Sequence, residues 1–376
     1  MKGNEPVAPI VVRSKTYHWP GIDADPPYKY SRGANPTRTQ LENELIRNEN
    51  FSEQIFSHAY ASGIAAESAL FLSLNPGDRV LLCDEIYGGT YRLFHSVLKR
   101  FGIECDFADL NSYEAARKKI TPQTKYIFVE PISNPSLIVT DLHSVARLSK
   151  ETGIPFAVDG TFSPAPALKA FEYGAETIIY SLSKYFCGHN DAIGGAVLTR
   201  NKKLSEHLKL MQTTLGATLS PDESYRIIQG MKSLEIRWKH VSQSAQVVGK
   251  WLEKQTHIQR VLYPLLPSHP QFKISKSQFK NGAGSVVSFE LNFSRRNVVK
   301  KFVDAIITDG VLVFGESLAS PETILAYPAI MSHRSLSIEQ REALGISDGF
   351  FRLSLGFEEP EKIIHSLEKA LTSVSA

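Results

Sequence analysis

The sequence predicts an α/β protein, with a large domain on a mostly parallel sheet and a smaller C-terminal α+β domain. Three observations carry that prediction. Short apolar runs such as residues 126–129 and 177–180 alternate with helical patterns, as strands buried on both faces do. The 376 residues exceed what one compact core takes. After Leu219-Ser-Pro-Asp222 the rhythm changes, and a long helical stretch leads into strands and helices of a different spacing.

The elements follow in order. Residues 1–38 carry Pro6, Pro9, Pro20, Gly21, Pro26, Pro27, Gly33 and Pro36, and read as an extended arm. A helical pattern starts at Thr39 (Leu41, Leu45, Ile46) and ends near Asn50. Residues 56–60 form a short strand, and a small-residue turn at Gly63 opens a helix to Leu74, closed by Asn75-Pro-Gly. Strands then fall at 79–84, 103–107, 125–130, 154–159, 177–180 and 194–198, with helices at 90–101, 112–120 and 142–152. One long helix covers 223 to about 253. Strands at 285–291 and 350–355, with helices at 296–308 and 360–372, complete the tail. The expected units are an arm (1–45), an α/β domain (46–235) and an α+β domain (236–376).

Composition narrows the class. Hydrophobic content of 42% and charged content of 22% describe an ordinary globular chain, not a disordered one. A net charge of +3 without a basic block gives no reason to expect nucleic acid. Cys83, Cys105 and Cys187 are scattered without metal-ligand spacing, so reduced thiols, no metal and a cytoplasmic home are expected. No run approaches transmembrane length, Met1-Lys-Gly-Asn-Glu-Pro has no apolar signal core, and no membrane association is expected.

The chemistry concentrates at strand ends, where open α/β sheets bind ligands. Ser181, Ser183, Lys184 and Gly188 follow the strand at 177–180. Hydroxyls can hold a phosphate there, and the lysine amine can condense with an aldehyde. Tyr87-Gly-Gly-Thr90, Ser133-Asn-Pro135 and Asp159-Gly-Thr161 stand at the ends of three other strands. Each has a plainer role by itself: a cap for Asp159, a packed turn for Tyr87, a tight turn at Gly63 and a surface position for Arg32. Together they meet the needs of pyridoxal 5'-phosphate (PLP). The helix N-terminus at Gly63 suits the phosphate, Tyr87 can stack on the ring, and Asp159 can keep the pyridine nitrogen protonated.

These motifs resemble the PLP-dependent enzymes of cysteine and methionine metabolism, which include cystathionine γ-synthase, cystathionine γ-lyase and methionine γ-lyase. The resemblance runs from Tyr30 to the C-terminal helix. It implies the type I fold of PLP-dependent transferases, aminotransferase-like in architecture. It gives the arm residues Tyr30 and Arg32 of Tyr30-Ser-Arg-x-x-Asn-Pro-Thr a role at the PLP phosphate of a neighbouring subunit. That implies a homo-oligomer, a dimer with shared sites and often a tetramer. Ser62-Gly63-Ile64 resembles the phosphate loop, and Tyr87 the stacking tyrosine. Asn134 matches the asparagine beside the cofactor's 3-hydroxyl and the substrate. Asp159 and Thr161, Ser181, Ser183 and Lys184 match further cofactor contacts, with Lys184 and Tyr87 catalytic. Phe351-Arg352-Leu-Ser resembles the segment whose arginine pairs with the substrate α-carboxylate. Ser317, Glu316 and Lys29 are the other substrate-binding candidates.

Three positions depart from the family pattern: Gly160 stands for the asparagine of Asp-Asn-Thr, Ala319-Ser320 for Gly-Gly, and Lys29 for an acidic residue. The implied activity is γ-elimination or γ-replacement on a homoserine-derived or sulfur-containing amino acid, because Glu316-Ser-Leu matches cystathionine synthases and γ-lyases. O-acetylhomoserine sulfhydrylase, cystathionine β-lyase and methionine γ-lyase are the alternatives within the family, and an aminotransferase outside it.

Overall fold

The computed structural model describes residues 6–334 and 337–374. Seven strands form the first sheet: β1 (Phe56–Tyr60), β2 (Arg79–Cys83), β3 (Glu104–Ala108), β4 (Thr124–Val129), β5 (Phe156–Asp159), β6 (Thr177–Ser181) and β7 (Gly195–Thr199), in the order β1-β7-β6-β5-β4-β2-β3. Strands β2 to β6 run parallel, while β7 is antiparallel to both β1 and β6. The chain between β6 and β7 holds the lysine loop and no crossover helix, so β7 returns beside β6 in the opposite direction.

Alternation along the parallel strands feeds two cores. Val80, Leu82, Phe128 and Val197 pack on one face with Phe71 and Leu208. Leu81, Ile127, Val129 and Leu198 face the other way, into a core that continues under the second sheet to Phe289 and Phe351. Helices α1 (Pro36–Glu49), α2 (Gly63–Phe71), α3 (Gly88–Arg92), α4 (Tyr113–Lys119), α5 (Leu142–Thr152), α6 (Lys202–Leu215) and α7 (Pro221–Met231) accompany this sheet. Helix α8 (Leu234–Leu252) leads to a five-stranded sheet in the order β10-β11-β12-β9-β8. Its strands are β8 (Ile258–Leu262), β9 (Val286–Leu291), β10 (Val313–Phe314), β11 (Ile324–Ala326) and β12 (Phe350–Ser354). Helices α9 (Phe272–Gln278), α10 (Arg296–Asp309), α11 (Ile338–Ala343) and α12 (Pro360–Ser373) belong to this part.

Several expectations are corrected. The first helix begins at Pro36 rather than Thr39, because Asn35 caps it: its Oδ1 accepts from the Thr37 amide at 2.9 Å, and Pro36 fills the first helical position. The helix expected over 90–101 is α3 followed by a π turn (Leu93–Val97) and a 3₁₀ turn (Leu98–Phe101); the changing pitch sends Leu93, Phe94 and Leu98 into the core together. The single helix expected from 223 is two. Arg237 bends the chain there by donating to the Gly230 carbonyl at 2.8 Å, at a point where Gly230 lies against the Cys187 carbonyl. Helices α6, α9 and α11 and strands β8, β10 and β11 were not anticipated. No described helix is long and apolar enough to cross a membrane.

Candidate active site

The C-terminal ends of β4, β5 and β6, the N-terminus of α2 and the segment 316–333 enclose a cavity of about 450 Å³. Gly63, Ile64, Tyr87, Asn134, Asp159, Thr161, Ser181, Ser183, Lys184, Glu316, Ser317 and Arg352 all line it. Twelve candidates scattered over 290 residues of sequence thus meet in one place. For the nine before Glu316 the reason is topological, since strands of one direction deliver their following loops to the same edge. Glu316 and Ser317, which follow β10, and Arg352 on β12 come from the five-stranded sheet.

Each side chain is held by its local geometry. Ser62 caps α2, its Oγ accepting from the Ala65 amide at 3.1 Å, which leaves the first backbone N–H groups pointing into the cavity. Gly63 permits the close approach of that helix to β6, since a Cβ there would lie 3.0 Å from the Ser181 Cβ. Asp159, almost fully buried, accepts from the Thr161 amide at 2.9 Å, and the Thr161 Oγ1 in turn accepts from the Ser181 amide at 2.8 Å. Burial pushes the Asp159 carboxyl above its ordinary range, with the Thr161 contacts opposing. A cationic partner such as a pyridinium is what such a carboxylate lacks.

Lys184 follows β6 in the turn, its Nζ donating to the Ser317 Oγ at 3.2 Å. Burial, and then the positive charge of Arg352, lower its pKa, while Glu316 opposes. Arg352 lies on β12. Its Nη1 donates to the Asn134 Oδ1 at 2.8 Å and its Nη2 to the Ser317 carbonyl at 2.7 Å, whereas its Nε is buried without a hydrogen-bond partner. Burial lowers its pKa to about 10, which leaves it cationic at neutral pH. A buried guanidinium with a spare donor and only neutral acceptors is a receptor for a carboxylate. Ser183 is already engaged, exchanging hydrogen bonds of 3.0 and 3.2 Å with the backbone of Gly194.

The departures have structural counterparts. At Gly160 a Cβ would lie 2.4 Å from the Tyr180 ring, which is buried and anchored by its hydroxyl to Glu49 at 2.7 Å. Ala319 adopts φ +62° and Ser317 φ +110°, conformations that glycine takes more readily. Lys29, Tyr30 and Arg32 lie outside the cavity of their own chain. Lys29 pairs with Asp25 and sits 5.2 Å from the Trp19 ring centroid, and Arg32 lies 5.9 Å from that of Tyr30. Buried Arg38, which sequence reasoning passed over, fixes this arm by donating to the carbonyls of Ser31 and Arg32 at 3.0 and 3.2 Å.

The sequence reading also missed Glu67, Glu130, Arg92 and His333, which line the same cavity. Two had a signal: Glu67 is the one charged residue of an otherwise apolar and small-residue helix, and Glu130 ends the apolar run of β4.

A mixed α/β sheet, a lysine at a strand end, a buried aspartate and a helix N-terminus on one cavity are the marks of a PLP-dependent enzyme. The chain belongs to the Cys/Met metabolism PLP-dependent enzymes, whose family model matches residues 2–372. It is 36% identical over 373 residues to the cystathionine beta-lyase MetC of Bacillus subtilis, covering 99% of this chain and 93% of that protein. It is likewise 36% identical over 365 residues to the cystathionine gamma-lyase of B. subtilis, covering 97% and 94%. The fold superposes with a TM-score of 0.91 on the cystathionine gamma-lyase of Lactobacillus plantarum complexed with L-serine, at 32% identity over 98% of this chain and 94% of that one.

Proposed function

We propose that the protein catalyses γ-elimination or γ-replacement on a homoserine-derived or sulfur-containing amino acid of the cystathionine class. The observation that carries this reading is Ser317, which joins the Lys184 amine to the Arg352 guanidinium and so fixes a base next to a carboxylate receptor. When bound, PLP supplies an electron sink for the negative charge that develops at the substrate Cα. Gly63, Ile64, Thr161, Ser181 and Ser183 would hold its phosphate and ring, and Asp159 its nitrogen.

Arg352 holds the α-carboxylate through its fork and sets the Cα–H toward Lys184. The lowered pKa of Lys184 favours its neutral, proton-accepting form. γ-Chemistry needs a second proton taken from Cβ, and a lysine on a flexible four-carbon stem serves both positions. Burial raises the Tyr87 pKa, so its phenol keeps its proton and can donate one at the mouth of the cavity. Glu316 and Asn134 flank the same substrate space.

Tyr30, Arg32 and Lys29 lie outside their own cavity, which supports a homo-oligomer in which the arm completes a neighbour's site. A cytoplasmic home accords with three free thiols. Cystathionine β-lyase is the second reading, supported by the relative of that name.

Product analysis tests the choice. With cystathionine, γ-elimination yields cysteine, 2-oxobutanoate and ammonia, and γ-replacement exchanges the acyloxy group of an O-acylhomoserine for the cysteine sulfur, giving cystathionine and the free carboxylic acid. Homocysteine with pyruvate and ammonia would establish the β reading instead. Transfer of the amino group to a 2-oxo acid without ammonia release would refute both and leave an aminotransferase.

A further inference from the structure

A pyridine nitrogen pairs with one carboxylate, yet three buried carboxyl groups line this cavity: Glu67 (3% exposed), Glu130 (5%) and Asp159 (9%). They come from three elements, α2, the end of β4 and the end of β5. Glu130 has a structural partner, its Oε1 accepting from the Tyr87 amide at 2.7 Å. Asp159 is held by Thr161. Glu67 differs: its Oε2 is fully buried without a hydrogen-bond partner, and the Thr90 hydroxyl of α3 is the one neighbouring group that favours its charged form. It sits one turn along α2 from Gly63, on the wall of the cavity, and α2 carries no other ionisable side chain.

The titratable groups that act on Glu67 are negative or neutral. Asp159 faces it from β5, and its charge reaches Glu130 beyond β4 and the Tyr87 phenol after β2. From β6 only Ile179 and Ser181 line this wall, and neither ionises. Two carboxylates in a desolvated site do not both ionise without a cation between them.

We propose that Glu67 is a positioning residue for the cofactor: it keeps its proton beside Asp159, so that the pair presents a single negative charge to the pyridine nitrogen. Burial first, and the Asp159 charge second, raise Glu67 to about 8. Losing that proton places a second negative charge against the ring, and the ring nitrogen then holds its own proton more tightly. The electronic state of the bound cofactor therefore changes in a step that belongs to the protein. The inference rests on the assignment of this cavity to PLP.

The test is a spectroscopic titration of PLP-loaded protein, with loading verified by borohydride fixation of the cofactor to the peptide containing Lys184. In the wild type the absorbance of the bound cofactor should show a step above the ordinary carboxyl range, distinct from the lysine-linked one. In Glu67→Gln, which keeps shape and a donor but cannot titrate, that step should be lost while the cofactor stays bound. If the glutamine variant does not fold, Glu67→Met, similar in volume, is read in the same way. A variant that titrates as the wild type does, or a wild type without the step, overturns the proposal. Fixation on another lysine would overturn the cofactor site and this inference with it, a failure visible before any variant is compared.

Discussion

Gly160→Ala should destabilise the protein and loosen its cofactor, although the backbone at that position accepts any residue. The added Cβ would stand 2.4 Å from Cε1, 3.1 Å from Cδ1 and 3.2 Å from Cζ of Tyr180. Carbon atoms in contact settle about 3.5–4.0 Å apart, so ring or backbone must shift by on the order of an ångström. The ring is not free to do so: it is 1% exposed, its hydroxyl donates to Glu49 at 2.7 Å, and it packs on Phe186 at a centroid distance of 4.8 Å. Overpacking of this kind costs about 1–3 kcal/mol. The loss of glycine's freedom in the unfolded chain offsets about 0.4–1 kcal/mol. A net loss of about 1–2 kcal/mol is expected from equilibrium denaturation. Because Asp159 and Thr161 flank the site, PLP affinity should fall with stability. In a Tyr180→Leu background the same alanine should be neutral or stabilising, which a double-mutant cycle reads directly. An alanine variant as stable as the wild type, with unchanged cofactor affinity, would refute the reasoning.

Arg352→Lys should lower kcat/KM roughly ten- to hundredfold, because an ammonium cannot satisfy Asn134, Ser317 and a bidentate carboxylate together; steady-state kinetics with an unchanged kcat/KM would contradict this. Glu49 is raised to about 7, chiefly by burial, with Tyr180 and Lys169 opposing. Its folded pKa exceeds the ordinary 4.5, so its contribution is fully present below 4.5 and is lost as pH rises through 7. The stability advantage of Glu49→Gln should therefore grow over that window, by on the order of 3 kcal/mol, and a pH-independent difference would sink the argument. Lys184→Ala and Arg32→Ala should each be nearly inactive, and co-refolding should restore part of the activity if the arm serves a neighbour; verified mixed dimers without recovery would place Arg32 at its own subunit's site. Lys29→Glu should move relative kcat/KM toward cystathionine, whose distal ammonium it would attract. Opposite and like charges about 4 Å apart differ by roughly 8 kcal/mol at an effective dielectric of 20 before screening, which solvent and salt reduce strongly. An unmoved ratio would mean that Lys29 does not read the distal charge.

What the sequence made legible was whatever repeats a local rule. Strand ends bearing Tyr87, Asp159 and Lys184 could be read because apolar runs stop there and chemistry begins. Helix α5 was placed to the residue, since Asp141 caps it and Gly153 ends it. Glu67 escaped because its meaning lies in facing Asp159, and only the fold brings a helix face to a strand end. The break between α7 and α8 escaped because its local marks, Gly230 and Ser233, are weak by themselves, and Arg237 reaching Gly230 is a tertiary event. Helix α6 did carry a local signal, Asn201 as cap followed by Leu204 and Leu208, which the run of loops around it obscured.

Ser317 has a consequence for discrimination between amines. Its hydroxyl accepts from Lys184 and its carbonyl from Arg352, on a backbone held at φ +110°. On the proposed reading, a carboxylate arriving at Arg352 would compete with that carbonyl, and any release of Ser317 would alter what the lysine amine is tied to. Recognition at one end of the substrate and readiness at the other would then be a single displacement. A decarboxylated analogue, such as a simple alkylamine, would be penalised twice: it lacks the anchor, and it leaves the base tethered.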